Sequence, residues 1–399
     1  MTGPCQNFQL PAGVRDLLPG EAGARRQLEQ KLMDFFQSWG YREVLTPTFE
    51  FIDTFKAGSR AEAEDSLYKF IDRYGRVLAL RPEMTAPIAR LAATRLGHEE
   101  LPLRLCYSAS VFRYEEPRAN RLREFNQTGV ELIGARGVAA DAEIIALAVE
   151  SLLEAGLKDF RLGLGQVAVT MGVLHDLELP EAKVARIKAA LASKDLVALE
   201  RLSEDYSLNE RQRSSLQLLA GLHGGSEALD EARSYFGDTE AAAFLDELGA
   251  VWQALQAYGL EKWLFIDLSI LRDFDYYTGI VFEGYVPGLG VPVCGGGRYD
   301  DLLAQFGRPC PATGFALGLE RLLTALGEKF SCAGKQGYLI AGDELEILLN
   351  RARQLRRQGT RVILGQPGEN QQQAEARAAA QGLTLLWLES GETICRTVC

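Results

Sequence analysis

The sequence predicts an α+β protein in which one sheet, flanked by helices, is interrupted by a helical insertion and followed by a small α/β domain. Three observations lead to this fold class. Residues 103–134 alternate apolar and polar side chains on both sides of a loop, which is typical of two long paired strands. Residues 180–258 contain successive helical patterns and no strand candidate. After residue 337, short strands and helices alternate, which indicates a separate parallel sheet.

The first hundred residues predict a helix, an extended segment, a hairpin and a second helix. Apolar residues at spacings of three and four predict the first helix over 21–38. The extended segment, 41–51, contains Pro47, which cannot donate to a strand ladder, so an edge strand or a dimer contact is expected there. A hairpin is expected over 68–80, around a turn of Asp-Arg-Tyr-Gly composition, and a helix over 86–96.

The strand pair in 103–134 carries charged residues along its length and in its loop. Burying such charges is costly unless they face one another or a cleft, so the pair is either an ion-pair lattice or part of a site. Successive side chains of a strand point to opposite faces. Gln127 and Glu131 are therefore expected to point the same way. The residues that share this face are Phe125, Gln127, Gly129 and Glu131.

Strands before and after the helical insertion are expected to belong to one sheet. Asp141 is expected to cap a helix that runs to residue 155, and 160–164 is expected to be a strand. The insertion itself is placed at about 171–262. The elements expected beyond it are strands over 263–270, 276–285 and 295–300, and a helix that opens within 314–321.

The C-terminal residues predict a small parallel sheet, because strands and helices alternate there. The boundary is expected near 329–335, where the apolar pattern thins out, so the two domains are placed at 1–329 and 336–399. The expected strands are 337–341, 361–365 and 383–388, and the expected helices are 344–358 and 370–381.

Composition excludes several classes of protein. The 399 residues are 47% hydrophobic and 24% charged, which suits two or three globular domains. A net charge of −11 disfavours obligate nucleic-acid binding. Seven cysteines without C-x-x-C spacing and three scattered histidines predict reduced thiols, a cytoplasmic location, no structural metal and no cofactor. No apolar run has the length of a membrane span, and the polar N-terminus predicts no signal peptide.

Four clusters of polar residues beside apolar strands are candidate parts of one site. Each alone is weak evidence, because an arginine near a glutamate is most often a structural ion pair. On one sheet they would form a cleft in which arginine binds phosphate or carboxylate and glutamate binds ammonium, the two charges of a free amino acid. The clusters are Glu83 with Thr85; Arg113, Glu115, Arg121, Gln127 and Glu131; Arg272, Asp275, Tyr276 and Tyr277; and Arg321.

Several motifs resemble those of class II aminoacyl-tRNA synthetases. The segment V-F-R-Y-E-E with its arginine loop resembles motif 2 of these enzymes. The segment G-F-A-L-G-L-E-R-L resembles motif 3, and the residues around Pro47 resemble motif 1. More narrowly, L-R-P-E-M-T, D-Y-Y-T-G-I-V-F-E and G-G-G-R-Y-D resemble the histidine-specific signatures of histidyl-tRNA synthetases. The resemblance covers residues 10–326 and implies the class II fold, an antiparallel sheet flanked by helices.

The resemblance also implies roles for the candidate residues. Glu83 and Glu131 would hold the amino group of histidine. Its carboxylate region would contact Gln127 and Arg272, and its imidazole Tyr276 or Tyr277. The implied histidine pocket contains Glu83, Thr85, Gln127, Glu131, Arg272, Tyr276 and Tyr277. The positions that match ATP contacts, interpreted as vestigial, are Arg113, Glu115, Arg121 and Arg321.

The chain departs from synthetases at several positions. Met84 stands where the synthetases have glycine, Asp273 and Phe274 replace Gly-Leu, and Thr278 and Gly279 replace Asn-Arg. The C-terminal domain is expected to be shorter than a complete anticodon-binding domain. The sequence more closely resembles regulatory subunits of ATP phosphoribosyltransferase, which are paralogues of the synthetase. The segments that show this resemblance are L-R-P-E-M-T-A-P-I-A-R-L-A-A-T-R, F-D-Y-Y-T-G-I-V-F-E-G-Y-V-P-G-L-G and the helical insertion.

This second resemblance implies a subunit without catalytic residues. It would activate a short-form catalytic subunit in the first step of histidine biosynthesis and take part in feedback inhibition by histidine. The implied partners are that subunit and further copies of this chain, in a dimer core and a larger hetero-oligomer, with no membrane and no tRNA. Two other interpretations stay open: a histidyl-tRNA synthetase that activates histidine with ATP, and a dimeric scaffold without a ligand.

Overall fold

Contacts within the computed structural model divide the chain into a larger unit, residues 1–330, and a smaller one, residues 331–399. The structure describes residues 9–56, 65–114, 122–237, 239–270, 276–327, 337–389 and 392–396.

The described part of the larger unit contains the strands β1 to β12 and the helices α1 to α11. The strands are β1 (Arg42–Glu43), β2 (Phe49–Phe51), β3 (Lys69–Ile71), β4 (Val77–Leu80), β5 (Leu103–Phe112), β6 (Glu124–Ile133), β7 (Arg161–Gln166), β8 (His223–Gly224), β9 (Leu264–Asp267), β10 (Ile280–Tyr285), β11 (Cys294–Arg298) and β12 (Ala312–Gly318). The helices are α1 (Pro19–Ser38), α2 (Ile52–Lys56), α3 (Thr85–Thr94), α4 (Val138–Ala155), α5 (Val167–His175), α6 (Glu181–Ala192), α7 (Leu196–Asp205), α8 (Glu210–Gly221), α9 (Ser226–Phe236), α10 (Ala241–Ala257) and α11 (Leu319–Leu326).

Nine of these strands form one sheet, in the order β1-β5-β6-β12-β11-β10-β7-β9-β8. Strands from both sides of the insertion belong to this one sheet, as the sequence predicted, because β6 pairs with β12 and β7 pairs with β10. Most pairings are antiparallel, but β1 with β5 and β7 with β9 are parallel. The segment 41–51 was expected to be an edge strand, and it provides two short strands on either side of Pro47. The first, β1, is an edge strand of the large sheet, and the second, β2, forms a separate small sheet with β4 and β3.

The two faces of the central sheet pack against different clusters of side chains. Val130 and Leu132 lie in the main core with α1 and α4. The residues that alternate with them face the other side, where α3, Tyr107 and Tyr299 form a second cluster. The predicted separation of the two faces of β6 is therefore confirmed, and Glu131 lies on the side of the second cluster.

One local prediction was wrong. Asp141 does not cap its helix, because α4 already begins at Val138, after Gly137 in a positive-φ conformation. The buried Asp141 instead binds Arg298, with 2.8 Å between Oδ1 and Nη2. The helix expected to open within 314–321 begins at Leu319, as α11, and the residues before it form β12.

The insertion consists of α5 to α10, but it is not free of strands. His223 and Gly224 form β8, which pairs with Asp267 and Ile266 of β9. A strand of two residues is too short to produce an alternating pattern, which explains why the sequence did not reveal it. The insertion is also tied to the sheet by an ion pair, 2.5 Å long, between Lys194 Nζ and the buried carboxylate of Asp267.

The smaller unit has a four-stranded sheet in the order β14-β13-β15-β16. Its first three strands are parallel, as predicted, but the fourth is antiparallel and was not predicted. The elements are β13 (Gly337–Gly342), α12 (Leu345–Arg357), β14 (Arg361–Leu364), α13 (Gln371–Ala380), β15 (Thr384–Glu389) and β16 (Glu392–Arg396).

Candidate functional site

The carboxyl group of Glu131 is the centre of the candidate site. It lies on β6 with 1% of its surface exposed. Thr85 Oγ1 donates to Oε1 over 2.9 Å, and the hydroxyl of Tyr299 donates to Oε2. No described cation contacts it, and burial raises its pKa to about 8. A buried carboxyl group without a cation is suited to receive one from a ligand.

Glu83 is close to this carboxyl group but has a structural role as well. Its oxygens accept hydrogen bonds from the backbone N–H groups of Thr85 and Ala86, in the first turn of α3. Burial raises the pKa of Glu83, while these hydrogen bonds act against that rise. The charge of Glu83 also contributes to the raised pKa of Glu131. Two neighbouring carboxyl groups in an enclosed site favour the entry of a positive group.

Tyrosines form the walls around Glu131. Tyr276 has its ring centroid 4.8 Å from that of Tyr277 and 5.7 Å from that of Tyr299. Burial raises the pKa values of Tyr107, Tyr276 and Tyr299 well above the ordinary value, so all three stay neutral donors. Tyr107 and Tyr299 were not among the sequence candidates.

Different signals could have identified the two missed tyrosines. Tyr107 lies opposite Gly129 in the β5–β6 pair, so the hairpin register places it on the face of Glu131. Tyr299 lies in the G-G-G-R-Y-D motif that resembles a histidine-specific signature, but its place beside Glu131 depends on the pairing of β11 with β12 and of β12 with β6.

Gln127 lies on the same face of β6, about 13 Å along the strand from Glu131 at roughly 3.3 Å per residue. Its Oε1 atom is buried and accepts no hydrogen bond from any residue that the structure describes. A buried acceptor without a donor is uncommon in folded proteins. This end of the site can therefore accept a hydrogen bond from a ligand.

The absence of a side chain at Gly314 makes room for the carboxyl group of Glu131. A Cβ atom at this position would lie 2.0 Å from Glu131 Oε2 and 2.5 Å from the carbonyl oxygen of Val130. Neither contact is possible in a folded protein. The close approach of β12 to the pocket therefore requires glycine here.

Of the sequence candidates for ATP contacts, the structure describes Arg113 and Arg321. Arg113 Nε donates to the carbonyl oxygen of Pro82 over 2.8 Å. The charge of its guanidinium group also opposes the rise in the pKa of Glu83 that burial causes. Arg321 Nη1 donates to the carbonyl oxygen of Pro292 over 2.8 Å. Glu115, Arg121, Arg272 and the neighbouring Asp273 and Asp275 lie outside the described residues.

These contacts bear on the question of whether the charged strand pair in 103–134 is an ion-pair lattice or part of a site. In the described part of the chain, Glu131 has no arginine partner, so it does not belong to an ion-pair lattice. Met84, one of the departures from the synthetase pattern, is buried in the cluster that contains Tyr107 and Tyr276. The arrangement is a buried carboxyl group surrounded by tyrosines, without a cation among the described residues, and its chemistry suits an ammonium group.

The described residues include neither a membrane-spanning helix nor a cluster of metal ligands. None of their helices has the length and apolar character needed to cross a membrane. Within the same ranges, no three His, Cys, Asp or Glu side chains lie close enough together to bind a metal ion.

Comparisons with known proteins give consistent results. Residues 13–322 match the family model for histidyl-tRNA synthetase. The ATP phosphoribosyltransferase regulatory subunit of Moorella thermoacetica is 71% identical over 96% of this chain and 98% of its own length. A crystal structure from Bacillus halodurans, described as an ATP phosphoribosyltransferase regulatory subunit/histidyl-tRNA synthetase, is 33% identical with a TM-score of 0.84, over 96% of this chain and 99% of that one.

A more distant structure supports the fold alone. Histidyl-tRNA synthetase from Nostoc is 22% identical, with a TM-score of 0.79 over 98% of this chain and 97% of that one. The predicted class II fold is therefore confirmed by structural similarity.

Proposed function

This chain belongs to the family of ATP phosphoribosyltransferase regulatory subunits, and we propose that it activates a short-form catalytic subunit and has no catalytic activity of its own. The observation that carries the proposal is the 71% identity, over nearly the full length of both chains, to a relative with that name. The expected setting is the first step of histidine biosynthesis in the cytoplasm, with which the reduced thiols of Cys106 and Cys310 agree.

Reconstitution tests the proposed activation. The purified chain is mixed with a short-form catalytic subunit, and phosphoribosyl transfer to ATP is measured with each protein alone and with both. We expect transfer to rise only in the mixture. Transfer by this chain alone, or no change on mixing, would contradict the proposal.

The proposed effector is histidine, bound at the pocket of Glu131. Its ammonium group would approach Glu131 and Glu83, and its imidazole group would contact the tyrosines. Its carboxylate would accept hydrogen bonds from the guanidinium group of Arg272 and the amide N–H of Gln127. The support is the buried carboxyl group of Glu131, which lacks a cation among the described residues. Inhibition requires that histidine bind the inhibited state of the complex more tightly than the active state.

The alternative function is that of a histidyl-tRNA synthetase. Two observations support this alternative. The Bacillus halodurans structure is described as both a regulatory subunit and a histidyl-tRNA synthetase, and this chain retains Arg113 and Arg321. Aminoacylation of tRNA with labelled histidine and ATP distinguishes the two functions. We expect no histidyl-tRNA to form; its robust formation would favour the synthetase.

Histidine binding is expected to release a proton from Glu131. The pKa of this carboxyl group is raised to about 8 by burial, and an ammonium group beside it would lower that value. When the pH is below about 8, binding of histidine therefore removes a proton from Glu131. The affinity for histidine rises with pH up to that value. Calorimetry near neutral pH, in buffers of different ionisation enthalpy, should detect the release of a proton on binding. Binding without proton release would contradict this linkage.

We also propose that the small sheet of β2, β3 and β4 is a dimer surface. Phe49, Phe51 and Phe70 share one of its faces and are 50%, 45% and 39% exposed. Exposed aromatic clusters of this kind are typical of interfaces. Phe51→Asp should shift the chain from dimer to monomer in light scattering, because a carboxylate would be buried at the interface.

A matched control for this variant is Phe244→Asp, since Phe244 is 39% exposed on α10, in the insertion. We expect it to leave the dimer intact. Equal dissociation of both variants would indicate general damage and would contradict the assignment of the surface.

A further inference from the structure

A buried ion pair joins the small sheet of β2, β3 and β4 to the helix that carries Thr85. Glu50 lies on β2 and Arg90 lies on α3. Arg90 Nε donates to Glu50 Oε2 over 2.5 Å, and Arg90 Nη2 donates to Glu50 Oε1 over 2.6 Å. The side chain of Glu50 is 6% exposed. Two parallel hydrogen bonds fix the direction of both side chains as well as their distance, so β2 and α3 cannot shift independently while the pair is formed.

The β2 end of this connection lies directly beneath the proposed dimer surface. Phe49 and Phe51 flank Glu50 in the strand and point to the exposed face, while Glu50 points to the interior. The strand has three residues and lies at the edge of a sheet of three strands, next to β4. A sheet of this size needs further packing to be stable. Contact of a second copy with the two phenylalanines would therefore fix β2, and with it the carboxylate of Glu50.

The α3 end of the connection lies at the pocket. Thr85, which donates to Glu131 over 2.9 Å, is the first residue of α3, five positions before Arg90. At 1.5 Å per residue, these two residues are about 7.5 Å apart along one continuous helix, so they move together. Glu83 also depends on this helix, because it accepts hydrogen bonds from the N–H groups of the first turn. The position of α3 therefore determines how both carboxyl groups of the pocket are arranged.

Apolar packing reinforces the contact between the small sheet and α3. Phe55 of α2, Ala79 of β4 and Ala86 of α3 form a small buried cluster. Ala86 follows Thr85 in the first turn, so the small sheet packs against the end of the helix that lies at the pocket. Buried side chains are close-packed, so a shift of the sheet displaces this end of the helix.

We propose that Glu50 and Arg90 are positioning residues of the pocket, and that through them dimerisation and histidine binding favour each other. Docking of a second copy fixes β2, and the ion pair then holds α3 with Thr85 directed at Glu131. A ligand loses less conformational entropy when its pocket is arranged in advance. By linkage, each bound histidine stabilises the dimer by the factor by which the dimer binds it more tightly than the monomer does. The linkage rests on the proposed histidine pocket and the proposed dimer surface.

Dilution of the full chain with and without histidine tests the linkage. Analytical ultracentrifugation gives the dissociation constant of the dimer, and calorimetry gives the histidine affinity of the wild type and of the monomeric variant Phe51→Asp. We expect saturating histidine to lower the dimer dissociation constant by at least about 5-fold, and Phe51→Asp to bind histidine more weakly than the wild type.

The outcomes separate this linkage from the proposals on which it rests. A chain that dimerises and binds histidine, but whose dissociation constant histidine leaves unchanged, would overturn the linkage alone. A chain that binds no histidine would overturn the pocket together with the linkage. A wild-type chain that stays monomeric would overturn the dimer surface together with the linkage.

The double variant Glu50→Leu with Arg90→Met identifies the connection. It removes both charges of the buried pair, so neither is left unpaired and the chain should fold. We expect this variant to dimerise but to bind histidine about as weakly as Phe51→Asp does, because β2 no longer holds α3. Histidine should then have little effect on its dimer dissociation constant. Retention of the full wild-type effect would overturn the role of the ion pair.

The matched control is Arg104→Met with Glu143→Leu. This substitution removes another bidentate pair, with distances of 3.0 and 2.8 Å, which joins β5 to α4 on the face of the central sheet opposite to the pocket. We expect the control to be less stable than the wild type but to keep the full effect of histidine on the dimer. Equal loss of that effect in the control would show that general destabilisation causes it, and would overturn the proposal.

Discussion

Replacing Glu131 by glutamine is expected to weaken histidine binding by roughly 30- to 5,000-fold, the equivalent of about 2–5 kcal/mol for the loss of one partner from a buried charged pair. The amide has the same shape as the carboxyl group but carries no charge for the ammonium group. Burial already raises the pKa of Glu131 to about 8, so the free protein holds this group largely neutral near pH 7. The substitution should therefore change binding much more than folding.

Calorimetry with free histidine measures this effect, and Glu124→Gln is the matched control. Glu124 lies on the same strand, is exposed and points to the other face of β6. We expect wild-type affinity for Glu124→Gln. Equal affinity of the wild type and Glu131→Gln would remove the histidine pocket from the proposal. The activation of a catalytic subunit would remain to be judged by reconstitution.

The parts of the pocket that the sequence predicted are those with local signals. The period of two within β6 was enough to place Gln127 and Glu131 on one face. Glu83 and Thr85 were singled out as polar residues beside apolar strands and through the L-R-P-E-M-T motif. The sequence did not indicate that Glu83 also accepts hydrogen bonds at the start of α3. The position of each residue depends on neighbours within a few positions in the chain.

The parts that the sequence did not predict depend on distant pairings. Tyr299 donates to a carboxyl group 168 positions earlier in the chain, and Gly314 leaves room for the same group across a strand pair. Asp141 was expected to act locally as a cap and instead binds Arg298, 157 positions away. A single sequence specifies these contacts only through the order of strands in the sheet, which local patterns do not determine.

Arg298→Met is expected to lower the free energy of unfolding of the larger unit by about 3–5 kcal/mol, because it leaves a buried carboxylate without its cation. Arg298 and Asp141 are 5% and 2% exposed. Nε donates to both carboxylate oxygens, over 3.0 and 3.1 Å. The pair connects β11 to α4, across the main core of the unit. Urea unfolding followed by circular dichroism measures the loss.

The dependence of this loss on pH identifies its cause. Burial raises the pKa of Asp141 from 3.8 to about 6, while Arg298 acts to lower it. Without Arg298 the folded protein binds a proton at Asp141 more readily than the unfolded chain does. The variant therefore loses stability as the pH rises through the pKa of Asp141 in the folded state. Its free energy of unfolding should fall further below that of the wild type at pH about 8 than at pH about 5. A deficit independent of pH would contradict the explanation.

The double variant Arg298→Met with Asp141→Leu separates the stability of the sheet from the geometry of the pocket. Removing both charges should restore most of the lost free energy, since no buried charge remains unpaired. Tyr299 should keep its position, because its backbone N–H donates to the carbonyl oxygen of Ala312 over 2.8 Å. We therefore expect histidine affinity within about 3-fold of wild type in the double variant. A larger loss would show that the ion pair, and not the strand pairing, positions Tyr299 beside Glu131.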